Sequence, residues 1–218
     1  MNIKKIAQLA CLAAAIGGSA AAHATVVDFN DQPIKYDNLD FVSGGFRFQT
    51  SDAYNYAFTT NQQVCGPACP MSGSIELLMP LGPVTTTMTA ANGSPFDLTS
   101  FLAAGTFNQT FQAPNDNPTT ITIVGHLVTG GTVTESFQIV SSGAAGPLPF
   151  TLESANASFT NLSAVTFTSS GAEASVYNGF ALDDVNVSAV PENSSTALML
   201  AGLGLVSLVA RRRKAHAA

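Results

Sequence analysis

Residues 120–140 read TITIVGHLVTGGTVTESFQIV, and their alternation dictates an architecture. In the second half, Val133, Phe137 and Ile139 fall on one side of an extended chain, while Thr132, Thr134 and Ser136 fall on the other. A period of two with one apolar side is the pattern of a half-buried antiparallel strand. The two halves are separated by Gly130-Gly131, a dipeptide free to take the positive φ angles that a tight reversal requires. The stretch therefore predicts a β-hairpin.

Runs of similar length recur outward from this hairpin: TVVDF, GGFRFQT, YNYAFTT, SIELLM, VTTTMTA, NLSAVTFTS and ALDDVNVS. Each is strand-length, rich in β-branched or aromatic residues, and bounded by Gly, Pro, Asn or Ser; none has a helical period. Strands joined by turn signals, with no amphipathic helix between them, predict an all-β, antiparallel β-sandwich of jelly-roll type rather than a parallel α/β sheet. No fixed-period repeat marks a propeller or solenoid. The segment 103–120, AAGTFNQTFQAPNDNPTT, reads as a long loop because Pro114, Asn115, Asp116, Asn117 and Pro118 disfavour a central strand. The β-rich region spans 25–189, enough chain for one domain.

Residues 1–24 combine Lys4 and Lys5, a short apolar run and the small-x-small site Ala22-His23-Ala24, which reads as a cleaved secretory signal peptide. Cys11 leaves with it. The whole chain has a formal net charge of −6, but six of its eight basic residues lie at the ends: Lys4, Lys5, Arg211, Arg212, Arg213 and Lys214. Lys35 and Arg47 alone face the acidic side chains between Asp28 and Asp184. With no cluster of cations to release counterions from phosphates, nucleic acid is excluded as a partner.

Cys65 and Cys69, in the turn-rich VCGPACP of an exported chain, are expected to form a disulfide. One histidine and no third cysteine remain in the domain, too few for a zinc site. His126 lies mid-strand and reads as a strand histidine packed or hydrogen-bonded locally, without the serine elbow of a hydrolase. No carboxylate spacing singles out a glycosidase pair. The domain is read as non-enzymatic, needing no cofactor.

The chain closes with VPENSSTALMLAGLGLVSLVARRRK. From Ser194 to Ala210 it carries no charge, close to the length of a membrane-spanning helix, and the basic residues that follow hold that end on the cytoplasmic side. This three-part tail, 190–214, resembles the PEP-CTERM sorting signal of Gram-negative bacteria. Val190, Pro191 and Glu192 match its motif, Asn193 stands where a second proline is usual, and Arg211, Arg212, Arg213 and Lys214 match its basic end. The resemblance implies an exosortase as processing partner, transient anchoring in the inner membrane, and delivery to the cell surface or an exopolysaccharide-rich matrix. FALDDVNV resembles the last strand of galactose-binding-like jelly rolls, where the acidic pair contributes to a structural calcium site. That likeness implies Ca²⁺ on Asp183 and Asp184, completed by Asp28, Asn30 and Asp31 of the opening strand, with hard oxygen ligands throughout. The favoured reading is a structural or adhesive matrix protein of a biofilm. The alternative is a carbohydrate-binding module for the cell's own polysaccharide, in which Tyr36, Tyr54, Tyr56 and Tyr177 would replace the absent tryptophan.

Overall fold

The structure, a computed structural model, describes residues 24–52, 57–61, 70, 72–79, 84–105, 119–139, 149–170, 179–190 and 202–203. Cys65, Cys69, Tyr54, Tyr56, Tyr177, Pro191, Glu192, Arg211, Arg212, Arg213 and Lys214 lie outside these residues, as do the signal segment before Ala24 and the apolar tail apart from 202–203. Among the described residues no helix is long and apolar enough to cross a membrane.

Ala24–Val190 form one compact unit containing β1 (Ala24–Val27), β2 (Asp40–Ser43), β3 (Phe46–Asp52), β4 (Phe58–Thr60), β5 (Glu76–Met79), β6 (Val84–Ala90), β7 (Phe96–Gly105), β8 (Thr119–Leu127), β9 (Thr132–Ile139), β10 (Thr151–Ser154), β11 (Leu162–Ser170) and β12 (Phe180–Ala189). Every pairing is antiparallel. One layer runs β2-β3-β6-β11-β8-β9. The other centres on β7 and β12, with β10 on the outer edge of β7 and both β5 and β1 on the far edge of β12. Among the described residues a single bridge, Leu162↔Phe96, joins β11 to β7 and the layers into one curled sheet. This is the antiparallel, jelly-roll-like sandwich the alternation predicts.

The interlayer core is aromatic. Phe101 of β7 meets Phe167 of β11 and Phe137 of β9 edge-on at centroid distances of 5.3 and 5.4 Å. Phe29, Phe41 and Phe48 close the opposite end around one another. Edge-to-face rings at these distances satisfy the aromatic quadrupole as well as the hydrophobic term.

The hairpin forms as expected. β8 and β9 pair from Thr119↔Ile139 to His126↔Thr132, and Gly130 and Gly131 hold φ of 89° and 87° at the reversal. Three strands have no counterpart in the runs read from the sequence: β2, β7 and β10. The long loop is shorter at both ends than expected, since Ala103–Gly105 continue β7 and Thr119 begins β8; 106–118 lie outside the described residues.

Candidate functional site

Two features of the sandwich carry chemistry: an acidic joint where the chain's first and last strands meet, and a hydroxyl-bearing outer face.

The joint is built by β12. Its far edge pairs with β5 as far as Leu182↔Leu77, and with β1 from Val185↔Val27. Between those registers the strand bulges, with Asp184 at φ 44°. This shift turns Asp183 inward, where it is only 1 % exposed. Its Oδ1 accepts the Asp184 amide at 2.8 Å and its Oδ2 accepts the Ser74 hydroxyl at 2.7 Å. The chain entering β5 places Ser72, Ser74 and Glu76 at alternate positions. Glu76 is wholly buried: Oε2 accepts the Ser72 hydroxyl at 3.3 Å, while Oε1 has no hydrogen-bond partner. Ser72 Oγ lies 3.1 Å from Ser74 Oγ, so the two serine hydroxyls together run from one carboxylate to the other. Asn30 closes the β1 side, its Oδ1 accepting the Ile75 amide at 3.2 Å.

Burial pushes the Glu76 carboxyl up to about 8; the Ser72 amide and hydroxyl oppose the shift, and the Asp183 charge adds to it. Burial likewise raises Asp183, against hydrogen bonds from Ser74, Ser72 and the Asp184 amide. An unpartnered buried acceptor costs about 1–3 kcal/mol, more when charged.

Of the five residues expected to hold calcium, Asp28 and Asn30 follow directly on β1, whose register leads toward Asp183 and Asp184. Asp28 is engaged with its neighbour, accepting the Asn30 amide and side-chain nitrogen at 3.2 and 3.0 Å. Asp31 faces elsewhere: it accepts the Ser43 hydroxyl at 2.5 Å and the Gly44 amide at 3.0 Å, fastening the β2–β3 turn. Slight burial works to raise its pKa, but those bonds and one from Gln32 outweigh it and hold the carboxyl below its ordinary value. Among the described residues no group of three or more His, Cys, Asp or Glu side chains is placed to hold a metal. Sequence reading missed Glu76, Ser72 and Ser74. Their signal was present in SGSIE, where alternate residues of a strand entry share one face.

The second feature follows from alternation in the β2-to-β9 layer. Buried Thr86, Phe167, Ile121 and Ile123 point into the core, so their neighbours point out. Cross-strand register then lines up Ser51, Thr85, Thr168, Thr122 and Ser136, an unbroken row of hydroxyls over five strands. Two links in the row are hydrogen bonds, Thr85···Thr168 at 3.3 Å and Thr122···Ser136 at 2.9 Å. The next row carries Gln49, Thr87 and Thr166. His126 stands on this face, exposed, its Nε2 3.0 Å from Thr166 Oγ1, in the local hydrogen bond expected of it. At the layer's rim, Arg47 and Asp40 neutralise each other at 2.6 Å. Tyr36 is 62 % exposed in the segment between β1 and β2.

No protein-family model and no curated protein matches the chain. Among solved structures it is similar to TmCBM61 in complex with β-1,4-galactotriose, at 8 % identity, TM-score 0.38, covering 66 % of this chain and 88 % of that one. It is also similar to the arabinose-bound MgGH51 α-L-arabinofuranosidase, at 11 % identity and TM-score 0.45, covering 79 % of this chain and 27 % of that one. A third likeness is to the enzymatically active domain of bacteriophage CBA120 tailspike protein 4, at 12 % identity and TM-score 0.27, over 77 % of this chain and 19 % of that one. With TM-scores below 0.5, none of these likenesses carries an inference about this chain.

Proposed function

We propose that the sandwich is a non-catalytic module that associates with neutral polysaccharide through its outer hydroxyl face, and that it is exported as a surface or matrix protein sorted by its tail. The observation that supports the glycan reading is the row Ser51–Thr85–Thr168–Thr122–Ser136 with its neighbour Gln49–Thr87–Thr166. These groups donate and accept hydrogen bonds without bringing net charge, which matches a polymer of hydroxyls and does not match a polyanion. Strands stand about 4.8 Å apart and alternate residues about 6.6 Å apart along a strand, so a sugar chain lying across the layer meets a repeated set of partners. Each contact contributes only about 0.5–1.5 kcal/mol net, and repetition along the polymer supplies the avidity. The tail's Pro-Glu pair, apolar run and basic end support sorting by an exosortase.

In cells with an active exosortase, the protein is expected in the extracellular polysaccharide fraction, at an intact mass lacking the residues beyond its Pro-Glu motif. Recovery in the soluble medium free of polysaccharide overturns the association, and a species still ending in RRRK overturns the sorting.

A further inference from the structure

We infer that the outer edge of β9 pairs antiparallel with β9 of a second copy of this chain, giving a two-fold dimer centred on Ser136. The pairing forms without glycan and stands apart from the glycan reading.

The observation that carries it is the character of this edge. Among the described residues β1, β2, β4, β9 and β10 each pair with a single strand. Four of them are only three or four residues long, and two are further engaged: Gln32 Nε2 donates to the Val42 carbonyl of β2 at 2.7 Å, and Lys35 exchanges both backbone bonds with Thr59 of β4. β9 has eight residues, TVTESFQI, paired to β8 without a bulge and containing no proline or lysine. Short strands, bulges, prolines and lysines are the devices that keep sheets from joining edge to edge, and β9 lacks all four. The Leu127 amide donates to the Gly131 carbonyl at 3.1 Å, which sets the phase of the ladder. Bonded pairs alternate in an antiparallel ladder, so Val133, Glu135 and Phe137 exchange bonds with Gly125, Ile123 and Ile121. The N–H and C=O groups of Thr134, Ser136 and Gln138 therefore point away from β8, and among the described residues no strand takes them up.

Charge and symmetry select the occupant. The domain is acidic, yet this edge carries one charge, Glu135, whose Oε2 is held on the side of Phe137 by the Asn156 amide and side-chain nitrogen at 2.9 and 3.0 Å. The outward residues Thr132, Thr134, Ser136 and Gln138 are exposed and uncharged, so a second copy meets no repulsion, and an antiparallel two-fold pair satisfies the same free groups on both strands. Centring the pair on Glu135 would set two carboxylates directly opposite, which is destabilising. Centring it on Ser136 sets Glu135 against Phe137 of the partner subunit and Val133 against Ile139 of the partner subunit. Ser136 then faces its own counterpart, and the row Ser51–Thr85–Thr168–Thr122–Ser136 runs on across the axis into its symmetry mate.

The test uses the exported protein in buffer free of polysaccharide. Sedimentation equilibrium at rising concentration should show the mass doubling from monomer to dimer and climbing no further. Thr134→Pro removes only an outward N–H, so β9 should stay paired with β8; this variant should keep its melting midpoint and remain monomeric. Ser136→Cys should form an intermolecular disulfide on air oxidation, because opposed residues of a bonded pair lie about 5.5 Å apart at Cα, inside the disulfide range of about 4.4–6.8 Å. Thr132→Cys, on the same exposed face, should not, since its counterpart lies about 27 Å away at about 3.4 Å per residue. A wild type that stays monomeric throughout, the outcome if another segment of the chain covers β9, overturns the dimer, as does mass climbing past the dimer or a dimer that persists in Thr134→Pro. Equal crosslinking of Ser136→Cys and Thr132→Cys overturns the register. The wild-type sedimentation and the two cysteine variants decide even if Thr134→Pro fails to fold.

Discussion

At the scale of single residues, Glu76 governs how stability responds to pH. Its carboxyl holds a proton up to about 8, against an ordinary value of 4.5, because burial disfavours the charged form and the Asp183 charge adds to that. Between those values the folded state binds a proton that the unfolded state has released. Stability is therefore fully present below the unfolded pKa and is lost as pH rises through the folded one. Denaturant melts should show stability falling from pH 5 to 8 by at most about 1.4 kcal/mol per unit. Glu76→Gln should flatten that slope; a wild-type profile that is level or rises over the same range contradicts the assignment of Glu76. Sequence alone could not show this. A glutamate beside ELLM apolar neighbours reads as an ordinary polar strand position, and only the bulge in β12 brings Asp183 against it.

At the scale of elements, legibility followed alternation. β8 and β9 were readable because a single buried face leaves a period of two, and Gly130 and Gly131 announce the turn. β7 was not, because Phe101, Ala103 and Ala104 are all buried: a central strand covered on both sides loses its polar alternation. β2 and β10 are only four residues each, and β10 lies largely exposed at an edge. The same hairpin supplies a packing test. A Cβ at Gly125 would lie 2.9 Å from Leu162 Cδ2 and Val133 Cγ2 and 3.0 Å from Phe159 Cδ1. Gly125→Ala should therefore destabilise by about 1–3 kcal/mol through overpacking, seen as a lowered melting midpoint. An unchanged midpoint would mean that β8, β9 and β11 are less closely packed than described.

At the scale of the whole molecule, the sandwich separates two tasks. Its interior is closed by interlocked aromatic rings, and β1 pairs with β12, where the acidic joint lies. The broad outer layer is left free to carry repeated hydroxyls. Fold class was legible because turn-bounded strands leave few alternatives. The face was not, because Thr85, Thr168 and Thr122 are far apart in sequence and become a row only through register.

The glycan reading rests on that row. Thr85→Val, Thr168→Val and Thr122→Val together remove its central hydroxyls while keeping side-chain shape and strand preference, so the fold should persist. The deciding measurement is affinity electrophoresis through neutral polysaccharides, comparing this triple variant with the wild type at low and high salt. The account predicts retardation of the wild type that salt leaves unchanged, since no charge pairing is involved, and loss of retardation in the variant at an unaltered melting midpoint. Equal retardation of both proteins, or none of the wild type in any neutral polysaccharide, would contradict it.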